Sequence, residues 1–138
     1  MLQITAGPFV FTARLEFEAA PQTCAAFVRL LPFRQKLIHA RWSGEACWIP
    51  LGDFPLEVGY ENHTSFPARG EILFYPGGLS EAEILFPYGS TRFASKVGQL
   101  AGNHFLTIIG GHEHLPELGR LCLWHGAQDI VFDPTPDT

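Results

Sequence analysis

The sequence predicts a mainly β fold, a closed barrel or a sandwich with two short helices, from three observations. About eight short apolar or alternating segments are separated by turns rich in Gly and Pro. Only two segments, beginning near Pro21 and Leu115, repeat their apolar residues with a helical period. Strand-like segments lie near both ends of the chain, so the first and last strands can pair and seal a barrel without exposed edges.

The opening residues predict a β-hairpin followed by a helix. Residues 9–17 alternate between apolar and mostly polar side chains, which is typical of a strand with one buried face. Gly7 and Pro8 separate this strand from a short one at residues 2–5. Pro21 suits the first turn of a helix, because the N–H that proline lacks has no helical partner there. We expect this helix over residues 21–31, ended by Pro32.

The rest of the chain predicts further strands and one long polar segment. Strands are expected over 37–42, 46–49, 71–75, 83–86, 103–109 and 129–132, with short strand pieces at 57–60 and a second helix from Leu115 to about Gly126. Residues 87–102 are polar and contain glycine, and loops of this length inside compact domains are often functional. One barrel domain is expected over residues 1–133, with a loose tail at 134–138.

Composition and charge exclude several classes of function. The net charge is −5, from 9 basic and 14 acidic residues, and the chain has no run of Lys or Arg. We therefore expect no nucleic-acid partner and no anionic membrane surface. No segment approaches the ~20 apolar residues of a membrane span and none resembles a signal peptide, so a cytoplasmic location is expected. An apolar content of 46% with 12 Phe favours a homo-oligomer.

Cysteine and cofactor motifs are sparse. The three cysteines, Cys24, Cys47 and Cys122, have no CxxC spacing, which argues against a disulfide framework and a structural zinc site. They are expected to be buried thiols. His112 and His114 can converge on a metal only in an extended segment, and no third ligand is identified. No nucleotide-binding or other cofactor motif is present, so neither metal nor cofactor is expected.

Four phrases in order carry a resemblance to a known family. They are APQT at 20–23 followed by LLP at 30–32, RWSGE at 41–45 followed by IP at 49–50, GEILFYPGG at 70–78, and ILFPYGST at 84–91. They resemble phrases of the small bacterial cyclophilin-like proteins, in which a helix caps one end of a barrel. The resemblance implies a closed eight-stranded cyclophilin-like β-barrel with two short helices. The longer phrase at 86–96 is similar to a distinct bacterial branch of unknown function.

The resemblance does not imply prolyl isomerase activity. Cyclophilins with that activity carry an arginine within an HRxIPGFMxQGGD stretch on their active face. The corresponding residues 38–45 here lack that motif, and QGGD occurs nowhere in the chain. A shared fold does not transfer a function, so the activity must be argued from the site.

Arg92, in the predicted long loop, is the leading candidate for a ligand anchor. With Tyr88 nearby, its guanidinium can bind a carboxylate or phosphate through two hydrogen bonds. The alternative is a solvated loop whose arginine bonds to backbone carbonyls. Trp48 can form a pocket wall or simply part of the core.

Three further polar residues are candidates. His63 can serve as a general base near neutral pH, with Glu61 beside it, although the same segment can also be an ordinary polar turn. His104 follows Asn103 at the start of a strand that, by the resemblance, lines the binding face. Alternation along the strand sends these two side chains to opposite faces, so at most one faces a given pocket.

The leading hypothesis is a domain that binds a small carboxylate- or amide-bearing metabolite on the concave face of the barrel. Arg92 would be the anchor, Tyr88 and Trp48 the walls, and His63 or His104 a polar contact. One alternative is an enzyme that acts on a small amide or cyclic metabolite, with His63 or Glu61 as acid or base. The other is an oligomeric interaction subunit without a small-molecule site. The sequence leaves enzyme and binder open.

Overall fold

The computed structural model describes residues 1–54 and 56–136. Its elements in chain order are β1 (Leu2–Ala6), β2 (Phe9–Leu15), α1 (Pro21–Val28), β3 (Phe33–His39), β4 (Gly44–Gly52), β5 (His63–Thr64), β6 (Glu71–Tyr75), β7 (Ala82–Thr91), β8 (Ala94–Ser95), β9 (Gly98–Gln99), β10 (Gly102–Gly110), a 3₁₀ turn (His112–His114), α2 (Leu115–His125) and β11 (Gln128–Pro134).

Eight strands close into one antiparallel barrel. Their order is β2-β1-β11-β3-β4-β7-β6-β10, and β10 pairs back onto β2. The short β5 pairs with β10 on the edge opposite β6, and β8 and β9 form a separate hairpin. β1 pairs with β11 from Leu2–Pro134 to Ala6–Ile130, so the two ends of the chain seal the barrel. The predicted closed eight-stranded barrel with two short helices is therefore confirmed.

The barrel interior is filled largely by phenylalanine. One side chain from α1, Phe27, lies edge-on to three rings, with centroid distances of 5.5 Å to Phe33, 5.0 Å to Phe105 and 5.2 Å to Phe132. Edge-to-face pairs of this kind stabilise a core beyond the area that they bury. Helix α1 thereby closes one end of the barrel. It ends at Val28 rather than residue 31, because the amides of Leu30 and Leu31 donate to carbonyls three residues back, at Phe27 and Val28, and so close a turn instead of continuing the helix.

Helix α2 closes the opposite end. Its Leu115, Leu118 and Cys122 are buried in the same core as the α1 side chains. Gly119 breaks the helical apolar pattern in the sequence, yet the packing requires glycine there: a β-carbon on Gly119 would collide with the ring of Tyr88.

The segment at 87–102 differs from the predicted long loop. β7 continues to Thr91, and residues 92–101 form an arm, containing β8 and β9, that folds over the outer face of the barrel. Phe93 and Leu100 of this arm are buried in an outer-wall cluster. The members of that cluster are Ala46, Leu73, Tyr75, Leu85, Phe93 and Leu100. The loop prediction was wrong because Pro87, Gly89 and the polar Ser90 and Thr91 are typical of a turn, whereas pairing with β4 continues the strand to Thr91.

Smaller differences concern boundaries. β3 begins at Phe33 rather than 37, and the expected strand pieces at 57–60 are irregular. Pro134 is the last residue of β11, and the Thr135 hydroxyl donates to the Met1 carbonyl at 2.8 Å. Of the expected tail, residues 137 and 138 lie outside the described residues. The three cysteines are free and buried, as predicted. In the described chain, no helix is both long enough and apolar enough to cross a membrane.

Candidate functional site

A cleft of about 320 Å³ lies on the outside of the barrel, between the arm, strand β4 and the turn that joins β6 to β7. We call it the outer-wall cleft. Its apolar lining includes Trp42, Trp48, Leu79 and Val97, and its charged lining consists of Arg41, Glu81, Glu83 and Lys96. Small-molecule sites typically combine this kind of apolar concavity with a few polar groups.

Strand alternation places the key side chains on the outer face. In β7, Ile84 and Phe86 belong to the interior core, so Glu83 and Leu85 point outward. In β4, Trp48 pairs with Leu85, and Pro50 pairs with Glu83. Trp48 and Glu83 are therefore diagonal neighbours on the same face of adjacent strands.

Hydrogen bonds to Ser43 hold the arm against the barrel and so keep the cleft formed. The Ser43 hydroxyl donates to the Ala94 carbonyl at 3.0 Å and accepts from the Ala94 amide at 3.1 Å. The Arg92 amide donates to the Ser43 carbonyl at 3.1 Å, and the Phe93 amide donates to the Ser65 carbonyl at 2.7 Å. These hydrogen bonds therefore fix the arm, one wall of the cleft, at Ser43 and at Ser65.

Glu83 is a buried carboxyl that lacks a partner. Its residue is 6% exposed, and no described residue hydrogen-bonds to its side chain or forms an ion pair with it. Because every fully enclosed polar side-chain atom of the described residues is satisfied, the Glu83 oxygens must open onto the cleft. Burial, followed by the nearby Glu81 charge, raises the pKa of Glu83 to about 8. A buried acid without a partner is a marker of functional sites.

The mouth of the cleft carries charges of both signs. Arg41 and Lys96 are exposed, and no described carboxylate forms an ion pair with either. Glu81 is exposed too, and its carboxylate accepts a hydrogen bond from the Gly52 amide at 2.8 Å. Two cations are thus free to meet an acidic group of a ligand at the entrance.

Of the residues predicted as a binding site, Trp48 lines the cleft, while Arg92 and Tyr88 lie elsewhere. Arg92 borders a shallow depression that shares Trp42 and Ser43 with the cleft. The Tyr88 hydroxyl lies 2.8 Å from Nε2 of His39, at the barrel end that α2 covers. Burial raises the pKa of Tyr88.

Glu61, His63 and His104 lie together at the other end, beside α1. Glu61 accepts the backbone N–H of Thr23 at 2.6 Å and that of Gln22 at 3.3 Å. It therefore caps the first turn of α1, where amides have no helical partner. The ring of His63 lies 4.6 Å from that of Tyr60.

His104 joins a short polar network on the same side. Its Nε2 lies 2.7 Å from the Thr107 hydroxyl, which donates to the Glu16 carboxylate at 2.7 Å. Asn103 instead points inward, where its amide donates to the Thr23 hydroxyl and the Gly59 carbonyl. The two side chains take opposite faces, as alternation predicted.

The six predicted site residues thus occupy four places rather than one. Sequence reasoning missed Glu83, Trp42, Arg41 and Lys96 as a group. One signal was available for Glu83, because it is an acid at the start of an otherwise apolar strand segment, AEILFP at 82–87. Among the described residues, no group of three His, Cys, Asp or Glu side chains is arranged to hold a metal ion.

Two solved structures resemble this chain in fold. A structure of McbB in complex with tryptophan matches the whole chain with a TM-score of 0.75 and 18% identity, and the chain spans 46% of McbB. The protein AF2241 from Archaeoglobus fulgidus matches 97% of the chain and 93% of its own length, with a TM-score of 0.62 and 18% identity. Both likenesses fit the cyclophilin-like domain that the four phrases imply.

Among curated proteins, none matches the chain. A family match covers residues 2–133, nearly the whole sequence, and its description is a protein of unknown function. This chain therefore belongs to the DUF3830 family, with a cyclophilin-like barrel as its fold.

Proposed function

We propose that this protein binds a small carboxylate- or amide-bearing molecule in the outer-wall cleft. The body of the ligand packs against Trp42 and Trp48, a polar group reaches Glu83, and any acidic group meets Arg41 and Lys96 at the mouth. The cleft volume of about 320 Å³ suits a molecule about the size of one fused aromatic ring system with a short polar side chain.

The observation that carries the proposal is the Glu83 carboxyl. It is largely shielded from solvent, has no hydrogen-bond partner among the described residues, and faces the cleft, so a ligand bound there can supply its hydrogen bond. The two indole rings beside it add large apolar surfaces at low entropic cost. McbB, which has the same fold, has been seen with tryptophan bound, which makes indole compounds a reasonable first set of probes.

Calorimetric titration with L-tryptophan, indole-3-acetate and indole-3-acetamide tests the proposal. We expect saturable binding of at least one compound, weakened at least about ten-fold by Glu83→Ala because a buried hydrogen bond is lost. Glu18→Ala is the matched control, since Glu18 is exposed and lies in a different part of the chain. Binding of none of the three, or binding that Glu83→Ala leaves unchanged, would contradict an indole-sized ligand in this cleft.

An enzyme acting on a small amide is the second candidate function, and Glu83 favours it over the residues predicted from sequence. A carboxyl with a pKa of about 8 can both give and take a proton near neutral pH. Glu61 is a weaker choice, because its carboxylate already accepts two backbone amides of α1. Incubating a compound that binds with the wild type and with Glu83→Gln, and following product by mass spectrometry, separates turnover from binding alone.

Self-association is a third candidate, since large apolar side chains are exposed. Leu123 and Trp124 stand exposed together near the end of α2. A contiguous apolar patch commonly marks a protein interface. Light scattering at micromolar concentration tests this: a dimer that Trp124→Ser converts to monomer supports it, and a wild-type monomer opposes it.

A further inference from the structure

We propose that Glu83 meets its ligand as a neutral carboxylic acid, so that the cleft selects a carboxamide or lactam edge over an ammonium group. This inference rests on the proposed function and names the class of ligand within it. The observations that carry it are the groups facing Glu83 and the absence, among the described residues, of any cation or donor bonded to it.

The charged and titratable groups around Glu83 do not favour a negative charge. From β6, Tyr75 stands opposite Glu83, but its hydroxyl accepts the Leu79 amide at 3.0 Å. From the turn before β7, Glu81 contributes a like charge. Arg41 and Lys96, on the segment after β3 and on the arm, are exposed at the mouth. Water screens such exposed cations from a buried group.

The neighbours on the sheet are apolar. Pro50 pairs with Glu83 across β4, and Trp48 and Leu85 flank it on the outer face. In these surroundings burial favours the neutral form and raises the pKa of Glu83 to about 8. At pH ~7 the neutral form therefore exceeds the charged form by roughly ten to one.

A neutral carboxyl and an amide are complementary. The protonated acid offers one O–H donor beside one carbonyl acceptor, and a primary amide or lactam offers one N–H donor beside one carbonyl acceptor. Two parallel hydrogen bonds can form without separating charge in an apolar site. An ammonium group has donors only, so it can bond to the carbonyl of the neutral acid but leaves the O–H without an acceptor. Only the carboxylate would balance its charge, and the surroundings disfavour that form.

The decisive experiment uses two probes with the same ring system, indole-3-acetamide and tryptamine. Their affinities are measured by calorimetry for the wild type, Glu83→Gln, Glu83→Ala and the control Glu18→Gln, from about pH 6 to pH 9.5. Glutamine has nearly the shape of a protonated glutamate and keeps one donor and one acceptor, but it cannot ionise. Circular dichroism establishes that each variant is folded.

We expect indole-3-acetamide to bind the wild type at least about ten-fold more tightly than tryptamine at pH ~6. Its affinity should fall about ten-fold per pH unit once the pH exceeds the pKa of Glu83, because only the neutral form binds. Glu83→Gln should retain amide affinity within about three-fold and lose this pH dependence, whereas Glu83→Ala should lose at least about ten-fold.

Two other outcomes separate the failure of this inference from the failure of the proposed function. In the first, Glu83→Gln and Glu83→Ala both abolish binding of the probes, and tryptamine binds the wild type more tightly as pH rises. The cleft is then the correct site, but Glu83 binds a cation as a carboxylate. If neither substitution changes the affinity of either probe, Glu83 contacts no ligand and the proposed cleft itself is wrong.

Discussion

The interior of the barrel and its outer wall are both apolar, yet they are built differently. The interior is packed with phenylalanine rings between the two helices, and its polar groups, such as Asn103, are fully bonded. The outer-wall cluster is smaller, is covered by a single arm, and borders a carboxyl without a partner. The interior thus stabilises the fold, whereas the cleft outside it is where we propose that a ligand binds.

Substitution of one buried phenylalanine in each region should give the largest change in the free energy of unfolding. It should also show whether the interior and the outer wall contribute to stability separately. Phe105→Ala should lower the free energy of unfolding by about 3–5 kcal/mol, because Phe105 packs against Phe27 and Phe74 at the centre of the barrel. Phe93→Ala should cost less, about 1–2 kcal/mol, because the arm can detach while the barrel stays closed.

Urea unfolding measures both values, and hydrogen exchange of the arm amides reports detachment. Phe93→Ala should also weaken ligand binding in the cleft. Phe105→Ala should leave ligand binding unchanged in the molecules that remain folded. Equal losses of stability for the two variants would mean that the arm and the barrel unfold as one unit.

The pH dependence of stability should single out Glu83. Its pKa is raised from 4.5 to about 8, so the unfolded chain releases this proton at lower pH than the folded chain does. Stability contributed by the neutral form is therefore fully present below pH 4.5, falls as pH rises, and is lost above about pH 8.

Glu83→Gln should remove this fall and raise the free energy of unfolding at alkaline pH by up to about 5 kcal/mol, at roughly 1.4 kcal/mol per pKa unit. Urea unfolding at about pH 5 and pH 8.5 checks it, with Glu18→Gln as the control for loss of an exposed charge. Parallel pH profiles for the wild type and Glu83→Gln would show that Glu83 ionises at an ordinary pKa.

Glu61→Ala should destabilise the protein by about 1 kcal/mol, because two amides of the first turn of α1 lose their acceptor. Glu57→Ala, at an exposed residue in the same irregular segment, should cost much less. Thermal unfolding measures both. The affinity for indole probes should not change, and a loss of affinity in Glu61→Ala would restore Glu61 as a ligand contact, as the sequence predicted.

The smallest effect concerns the arginines. Arg41→Ala should weaken binding of indole-3-acetate about three-fold, the size typical of an exposed charge pair. Arg92→Ala should change it less than about two-fold, because Arg92 borders the neighbouring depression rather than the cleft. Calorimetry at low salt compares them. A larger loss of affinity for Arg92→Ala than for Arg41→Ala would support Arg92 as the ligand anchor that the sequence predicted.

Much of the fold was predictable because its signals are local. The alternation at residues 9–15, the proline at the start of α1 and the glycine after α2 each indicate an element without reference to the rest of the chain. Strands near both ends allowed a closed barrel, since unpaired edges are unfavourable, and the family resemblance favoured that barrel over a sandwich. Helix α1 was predicted too long, and β7 was predicted too short because proline, glycine and hydroxyl residues at 87–91 are typical of a turn.

Much less of the candidate site was predictable. Trp48 was identified as a wall, but Glu83 was treated only as a strand residue, and Glu61 as a chemical group rather than a helix cap. The six candidates were chosen because they are polar and near turns, and that criterion does not tell whether their hydrogen bonds are already used within the fold.

Local pattern and composition were enough to predict a mainly β domain, a closed barrel or a sandwich, with two short helices, three buried thiols and an acidic net charge. The four phrases that resemble cyclophilin-like proteins favoured the closed barrel. Only the tertiary structure decided that residues 92–101 cover the outer wall, that Glu83 is buried beside the cleft without a partner among the described residues, and that Glu61 caps a helix at Thr23, 38 residues earlier in the chain. The physical reason is that alternation along a strand determines which side chains share a face, whereas burial, and with it the pKa of a carboxyl, depends on what covers that face.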